Sequence, residues 1–201
     1  MKILIVSEKF VKGGLETHIN TYYDLIKDAS DIYFAFSKYE DNGYLKDAKI
    51  YDNFNFNFNS TISEFCSDVE NLVKIIRENN IDIVHVHPFY SFFPALFATA
   101  ITNVKLVYTY HGYGSINFIS SNIDSMLFLY GIENKVDKVF CVAENAIEYF
   151  KELHNQNIIF LPNIIDEDIY KEHDVINNKK WALISRIDAD KYQSIIKFFD
   201  I

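Results

Sequence analysis

Residues 81–88 read Ile-Asp-Ile-Val-His-Val-His-Pro, and this stretch decides the fold of the chain. The apolar run from Ile81 to Val86 predicts a buried β-strand. Before it, apolar residues recur at helical spacing and predict a helix over residues 63–79, and residues 91–101 predict another helix after it. A continuous apolar strand between two helices is typical of a parallel sheet with helices on both faces.

The same alternation of strand and helix continues in both directions along the chain. Further strands are predicted at residues 3–7, 31–36, 105–110, 138–142 and 158–161, and further helices at residues 15–27, 126–136 and 144–153. A period-2 run of Asn and Phe at residues 53–59 predicts a strand or an extended edge segment. This order predicts an α/β fold with a Rossmann-like, doubly wound parallel sheet. Right-handed crossovers bring the carboxyl ends of its strands to one edge, where ligands bind.

The chain divides into three segments. Residues 1–162 carry the alternating pattern and predict an N-terminal Rossmann-like domain. Residues 163–178 are polar and predict an interdomain linker. Residues 179–201 contain an apolar run followed by a helical pattern, so we expect the incomplete beginning of a second Rossmann-like domain.

The composition excludes several classes of protein. With 49% hydrophobic and 23% charged residues in a chain of 201, the sequence is typical of a soluble globular protein. The net charge of −9 argues against nucleic-acid binding, while the basic segment 179–199 suits a local anion site. No apolar run is long enough for a signal peptide or a membrane span. Cys66 and Cys141, in apolar surroundings and without metal-site spacing, predict a reduced, cytoplasmic protein.

Two pairs of residues are candidates for binding an anion. Gly13-Gly14 precedes a helix, and paired glycines let backbone N–H groups approach an anion closely; the alternative is an ordinary turn. The stretch lacks the G-x-G-x-x-G fingerprint, which disfavours a nicotinamide or flavin enzyme. Arg186 and Lys191 follow the apolar run at 180–185 and suit a diphosphate, the alternative being a solvated loop.

Histidines follow two of the predicted strands. His85 and His87 lie on one side of their strand, where His85 suits a hydrogen-bonded core position and His87 suits the crevice. Metal binding would need further ligands, and none has convincing spacing, so no metal is expected. His111 lies beside Gly112 after the strand at 105–110, where it would hydrogen-bond a hydroxyl or act as an acid or base near neutral pH. The alternative for His111 is a structural role.

Six segments, in order, resemble the motifs of the family 4 glycosyltransferases of the GT-B fold. The family patterns are G-G-x-E-x-H, D-hydrophobic-hydrophobic-H-x-H, V-x-T-x-H-G, D-x-hydrophobic-x-x-V-S-E, I-P-N-G-I-D and G-R-x-x-x-x-K-G. The matching segments are residues 13–18, 82–87, 107–112, 137–144, 161–166 and 185–192. The sequence departs from these patterns at Ala143, where the family has Ser, and at Ile164, Ser185 and Tyr192, where it has Gly.

This resemblance implies transfer of a sugar from a nucleotide-sugar donor to a glycan or lipid-linked acceptor, with the anomeric configuration retained. It implies no cofactor and no metal. Gly13, Gly14, Arg186 and Lys191 would bind the donor diphosphate, and His111 would act at the reacting sugar.

The resemblance also implies a division of labour, in which the N-terminal domain mainly holds the acceptor. Acceptor-side candidates are Glu16, His18 and His87. Because the donor-binding domain is incomplete, we expect the 201-residue chain alone to be inactive. The family suggests cell-envelope polysaccharide assembly in the cytoplasm; a peripheral contact with the inner face of the membrane and self-association through residues 181–199 stay open.

A different class of protein fits the same sequence. A non-catalytic, truncated Rossmann-like remnant would fold and bind an acceptor or a partner without transferring a sugar. A reading frame that continues beyond codon 201 with paired glutamates would favour the enzyme. A nicotinamide enzyme is a third alternative, disfavoured by the missing glycine fingerprint.

Overall fold

The computed structural model of the chain describes residues 1–112, 122–150 and 157–163. Residues Met1–Ile164 group into one compact unit. Several sequence predictions lie outside the described residues: the linker beyond residue 163, the start of a second domain at 179–201 with Arg186 and Lys191, and the end of the helix predicted at 144–153.

The described residues form a sheet of seven parallel strands in the order β3-β2-β1-β4-β5-β6-β7. The strands are β1 (Lys2–Phe10), β2 (Asp31–Tyr39), β3 (Lys49–Tyr51), β4 (Ile83–Val86), β5 (Lys105–Tyr110), β6 (Lys138–Cys141) and β7 (Ile158–Phe160). The helices are α1 (Gly14–Ile26), α2 (Ile62–Asn79), α3 (Phe92–Thr102), α4 (Asn122–Asn134) and α5 (Glu144–Phe150). The predicted α/β class with a Rossmann-like, doubly wound sheet is confirmed. In the described part of the chain, no helix has the length and apolar character needed to cross a lipid bilayer.

Both faces of the sheet are buried, which follows from the period-2 alternation of side chains along a strand. In β1, Leu4 and Val6 belong to one buried cluster, while Ile3 and Ile5 belong to another. Helices α2, α3 and α4 cover the first cluster, and α1 covers the second through Ile19. A strand that is buried on both faces must be apolar at nearly every position, which is why the continuous runs predicted β1 and β4.

Strands β1 and β2 run further than the sequence predicts. The expected ends were Ser7 and Phe36, because charged residues interrupt the apolar runs beyond them. The parallel register nevertheless continues to Phe10 opposite Tyr39. Rings of Phe10, Phe36 and Tyr39 pack with centroids 5.4 to 6.0 Å apart. This aromatic contact holds the two strand ends together.

The Asn-Phe run at residues 53–59 is not a β-strand, so that part of the prediction is wrong. Period 2 is nevertheless obeyed, because Phe54 and Phe56 are both buried with their rings 4.8 Å apart. Backbone N–H groups here bond to side chains instead of a neighbouring strand. The Asn55 N–H donates to both oxygens of Asp68 at 3.1 Å, and the Phe56 N–H donates to Ser37 Oγ at 2.6 Å. The short strand β3, just before this run, was not predicted.

The two cysteines differ in exposure. Cys141 is buried in β6, and burial raises the pKa of its thiol to about 11. Cys66 lies on α2 and is exposed, so the expectation of apolar surroundings is wrong for this residue. It is preceded by Phe65, whose side chain packs against the core. Successive residues of a helix are rotated by about 100° around its axis, so Cys66 points in a different direction from Phe65.

A glycine in α4 allows the helix to pack closely against α3. A Cβ added at Gly131 would lie 2.8 Å from Phe92 Cζ and 3.0 Å from Leu96 Cδ2. Phe92 is fully buried, so its ring has little room to move. At Gly14, by contrast, an added Cβ meets no atom within 4 Å.

We therefore predict opposite effects of Gly131→Ala and Gly14→Ala on stability. Overpacking at Gly131 should cost about 1–3 kcal/mol, which exceeds the gain of up to about 1 kcal/mol from alanine's helix propensity. Gly14→Ala should leave the free energy of unfolding unchanged or raise it slightly. Urea denaturation of both variants provides the measurement. A Gly131→Ala variant as stable as the parent chain would contradict the close packing of α3 and α4.

Candidate active site at the carboxyl edge of the sheet

The strand order reverses direction between β1 and β4, and this is where an open α/β sheet forms a ligand-binding crevice. The chain moves outward through β2 and β3, then returns to place β4 on the other side of β1. Segments after β1, β4 and β5 therefore meet at the carboxyl edge. These are the segments that contain Gly13-Gly14, His87 and His111.

Three histidines from separate segments meet at this edge, and we call His18, His87 and His111 the histidine cluster. His87 Nδ1 lies 2.9 Å from His111 Nε2, a hydrogen-bond distance. The ring of His18, on α1, stands perpendicular to that of His111 with centroids 4.7 Å apart. One ring nitrogen from each of the three lies within 4.8 Å of the others. His87 is buried, while His18 and His111 are partly exposed.

The backbone holds His87 firmly in place. Its N–H donates to the Val6 carbonyl at 2.8 Å, which extends the pairing of β4 with β1 by one residue. Its carbonyl accepts the Ser91 hydroxyl at 2.7 Å. The histidine is thus fixed to the sheet on one side and to the start of α3 on the other.

His85 lies outside the cluster and is a core histidine, as predicted. It is buried, and its Nε2 lies 2.7 Å from Thr109 Oγ1 on the adjacent strand β5. Its ring also meets the edge of Tyr22 at a centroid distance of 5.4 Å.

The clustered histidines are electrically neutral at neutral pH. Burial, together with the neighbouring imidazoles of His18 and His85, lowers the pKa of His111 to about 3. The pKa of His87 is held well below its ordinary value by the same two causes. Burial also lowers the pKa of His18, against the opposing effect of a hydrogen bond to Asn163. His111 is therefore better suited to hydrogen-bond a hydroxyl than to act as an acid or base near pH 7.

The glycine pair forms the start of α1. The Gly13 N–H donates to the Glu16 carboxylate at 2.9 Å, so Glu16 closes the first turn of the helix. Glu16 is buried, which gives it a structural role; its acceptor-side role stays a prediction. Both glycines are exposed, and the N–H groups after Gly13 belong to the first turn, where they have no partner within the helix. An anion could therefore approach this end of α1.

Glu8 is a site residue that the sequence did not predict. One of its carboxylate oxygens accepts the N–H groups of Phe89, at 2.6 Å, and of Tyr90. This bond ties the end of β1 to the segment that follows His87. The only signal in the sequence is an acidic residue within an apolar strand, which does not reveal its partner.

Asn163 also reaches the cluster. Its Oδ1 lies 3.0 Å from Nδ1 of His18, although the two residues are far apart in sequence. The Pro162-Asn163 pair belongs to one of the segments that resemble family motifs, but its contact with His18 could not be predicted from the motif. Arg186 and Lys191, the other predicted anion-binding residues, lie outside the described residues.

A surface cavity of about 240 Å³ lies beside the Asn-Phe run. Aromatic rings and polar side chains line it together, including Phe58, Tyr90, Asn57 and Asp68. Burial raises the pKa of Asp68 to about 6, although the hydrogen bond from Asn55 acts in the opposite direction. Such a mixture of ring faces and hydrogen-bonding groups suits an amphipathic ligand such as a sugar.

Solved structures of glycosyltransferases share this fold. A glycosyltransferase from Rickettsia africae ESF-5 matches with a TM-score of 0.65 at 17% identity. The match covers 99% of this chain and 49% of the Rickettsia chain. Anabaena Alr3699/HepE in complex with UDP-glucose matches with a TM-score of 0.68 at 16% identity, over 87% of this chain and 47% of the Anabaena chain. The lipopolysaccharide outer core galactosyltransferase WaaB matches with a TM-score of 0.63 at 18% identity, over 82% of this chain and 46% of the WaaB chain. The chain spans about half the length of each.

The fold is thus that of one half of a GT-B glycosyltransferase. The family model Glycosyltransferase Family 4 matches residues 13–169, which is most of the chain. The protein belongs to glycosyltransferase family 4. Among curated proteins, none matches the chain in sequence.

The Glu8 contact generates a prediction about how the site is held together. Glu8→Ala would leave two backbone N–H groups without their charged acceptor, so the free energy of unfolding should fall by about 1.5–3 kcal/mol. Glu8→Gln keeps an acceptor oxygen and should lose less. Glu40, an exposed partner of Lys38, is the control, and Glu40→Ala should change stability by less than about 1 kcal/mol. If Glu8→Ala matched the Glu40→Ala control in urea denaturation, the tie between β1 and the His87 segment would be wrong.

Proposed function

We propose that this chain supplies the acceptor-side half of a retaining glycosyltransferase, which transfers a sugar from a nucleotide-sugar to a glycan or lipid-linked acceptor. The observation that carries the proposal is the neutral histidine cluster at the point where the strand order reverses, in a chain that belongs to family 4. The complex of Alr3699/HepE with UDP-glucose supports a nucleotide-sugar as the donor class. The galactosyltransferase WaaB supports a role in cell-envelope polysaccharide biosynthesis.

His111 is proposed to act at the reacting sugar. It is the partly exposed member of the His87–His111 pair, so a sugar hydroxyl can reach its ring. Nε2 of His111 is within hydrogen-bond distance of His87, so Nδ1 is the ring nitrogen that remains for a hydroxyl, which can either donate to it or accept from it. His87 is buried and would act through His111 by orienting its ring, which modifies its predicted acceptor-side role.

The donor diphosphate is proposed to bind at the start of α1. The Gly13 N–H is already bonded to Glu16, so the N–H groups that follow, beginning with Gly14, are the available donors. Arg186 and Lys191 would add positive charge as the diphosphate departs and negative charge develops on it. The roles proposed for Arg186 and Lys191 rest on the sequence and the family resemblance alone.

The acceptor is proposed to lie near His18 and the cavity beside the Asn-Phe run. His18 is partly exposed at the crevice, and the cavity offers aromatic faces with amide and carboxyl groups around them. Glu16 would contribute indirectly by shaping the turn at Gly13. A cytoplasmic location, with peripheral contact to the membrane when the acceptor is lipid-linked, is part of this proposal.

The 201-residue chain alone is expected not to transfer sugar, because it spans about half the length of the matched glycosyltransferases. A donor bound by only one half of the fold would not be positioned accurately, and positioning supplies much of the rate of sugar transfer. The alternative, a non-catalytic remnant that binds an acceptor or partner, predicts inactivity as well. A form that carries both halves of the fold distinguishes the two: the enzyme proposal requires transfer, and the remnant proposal forbids it.

In that two-half form, His111→Ala should lower turnover by about 10²-fold or more, since a positioned polar group at the reacting sugar is lost. Stability should change little, because the side chain is partly exposed. His154→Ala is the matched control, being a histidine outside the crevice motifs, and should keep its turnover. Turnover of His111→Ala equal to that control would rule out the proposed role.

Arg186→Ala should weaken binding of UDP, used as a nucleoside diphosphate probe, by about 1.5–3 kcal/mol, as expected for a charge-assisted hydrogen bond. Calorimetry on the two-half form gives the affinity. Lys197→Ala, which removes another positive charge of the same basic segment, is the control and should leave the affinity unchanged. An equal effect of the two substitutions would mean that the segment acts only through its general charge.

A further inference from the structure

We propose that the histidine cluster binds one transition-metal ion of the Zn²⁺ class through His18, His87 and His111. The three ring nitrogens that would serve as ligands already lie within 4.8 Å of one another. With zinc–nitrogen bonds of about 2.0–2.1 Å, two nitrogens on a tetrahedral ion lie roughly 3.4 Å apart. The rings would have to move closer together to reach this geometry, because their nitrogens are separated by up to 4.8 Å.

The donor set selects the class of ion. Three imidazoles with an open fourth position form the ligand set of many zinc enzymes, and imidazole also suits Cu²⁺ and Ni²⁺. Mg²⁺ and Ca²⁺ require oxygen ligands, which the cluster does not supply. The buried His87 closes one side of the site, and the partly exposed His18 and His111 leave an entry path for the ion.

His18 is oriented as metal-bound histidines are. A ligating imidazole generally donates its other ring N–H to an oxygen, which fixes the tautomer. Asn163 Oδ1 can only accept a hydrogen bond, so Nδ1 of His18 carries the proton in their 3.0 Å contact. Its Nε2 is then left with a lone pair for the ion.

His87 would bind through Nδ1, which lies 2.9 Å from Nε2 of His111. Between these two nitrogens, an ion would require a small widening and a change of tautomer, with no net loss of protons from two neutral rings. The ring proton of His87 would then lie on Nε2, which is buried without a hydrogen-bond partner among the described residues.

An ion here would occupy the place proposed for a sugar hydroxyl at His111, so metal and sugar should compete.

The test uses the 201-residue chain, freed of metal with a chelator and titrated with Co²⁺ alone. Tetrahedral coordination should produce intense visible ligand-field bands at one equivalent per chain, and Zn²⁺ should bleach them by displacement. Only weak octahedral bands would overturn the proposal. No sugar or nucleotide is present, so this result is independent of the proposed transferase activity.

Variants assign the ligands. His18→Gln and His111→Gln should each weaken Zn²⁺ binding at least about 10²-fold, and Asn163→Ala, which releases the orientation of His18, about 10–100-fold. Both histidines are partly exposed, so the variants should fold, and urea denaturation checks this. The double variant His154→Gln/His173→Gln removes the two histidines that are neither in the cluster nor in β4 and should bind normally. Unchanged affinity in His18→Gln and His111→Gln, or loss in the double variant, would overturn the assignment.

Discussion

The pairing of β4 with β1 on one side and β5 on the other is the constraint on which the rest of the structure depends. It aligns Ile83–Val86 with Ile3–Val6 and with residues 105–108 at the same level of the sheet. Because parallel strands all point the same way, this register brings His87 and His111 to one edge, within hydrogen-bond distance. A slip of one residue in β4 would turn His85, and His87 directly after the strand, to the opposite face, so His87 would no longer meet His18 and His111.

Burial then determines the chemistry of the histidines. Three imidazoles packed together in a partly exposed crevice could repel one another if they were charged, but desolvation keeps them neutral. Neutral rings can hydrogen-bond a hydroxyl or bind a metal ion, and both ligands would use the same nitrogens. The fold itself does not choose between these, since function resides in the site rather than in the architecture. Membership of family 4 favours the sugar, and the geometry of the three nitrogens supports the ion.

The sequence predicted the elements whose pattern is local. Strands buried on both faces give continuous apolar runs, and β5 was predicted with its observed ends. The three-residue β3 is too short for a periodic signal. The Asn-Phe run obeyed period 2, yet its N–H groups bond to Asp68 and Ser37, which no local pattern reveals. Likewise, His87 and His111 were placed at the right edge, but the approach of His18 from α1 depends on how that helix packs.

The histidine cluster as a whole was not predicted for the same reason. Spacing along the chain revealed only the His85–His87 pair, and β4 turns His85 toward Thr109 in the core. The third histidine of the cluster, His18, comes from α1 and contacts Asn163, which is distant in sequence. Glu8 was missed because its partners are backbone N–H groups of another segment. The sequence alone predicted much of the secondary structure, but it did not predict these long-range side-chain contacts.

The convergence of three histidines from separate segments is the central claim, and nuclear Overhauser effects between their rings test it most directly. In the metal-free chain with isotope-labelled histidine, the ring protons of His18 and His111 should show cross-peaks, since their centroids lie 4.7 Å apart. His87 and His111 should show them as well, at 5.2 Å. His18→Gln should remove the first set and keep the second. A spectrum in which His18 shows no cross-peak to either of the other two rings would contradict the cluster, and with it both ligands proposed for this edge of the sheet.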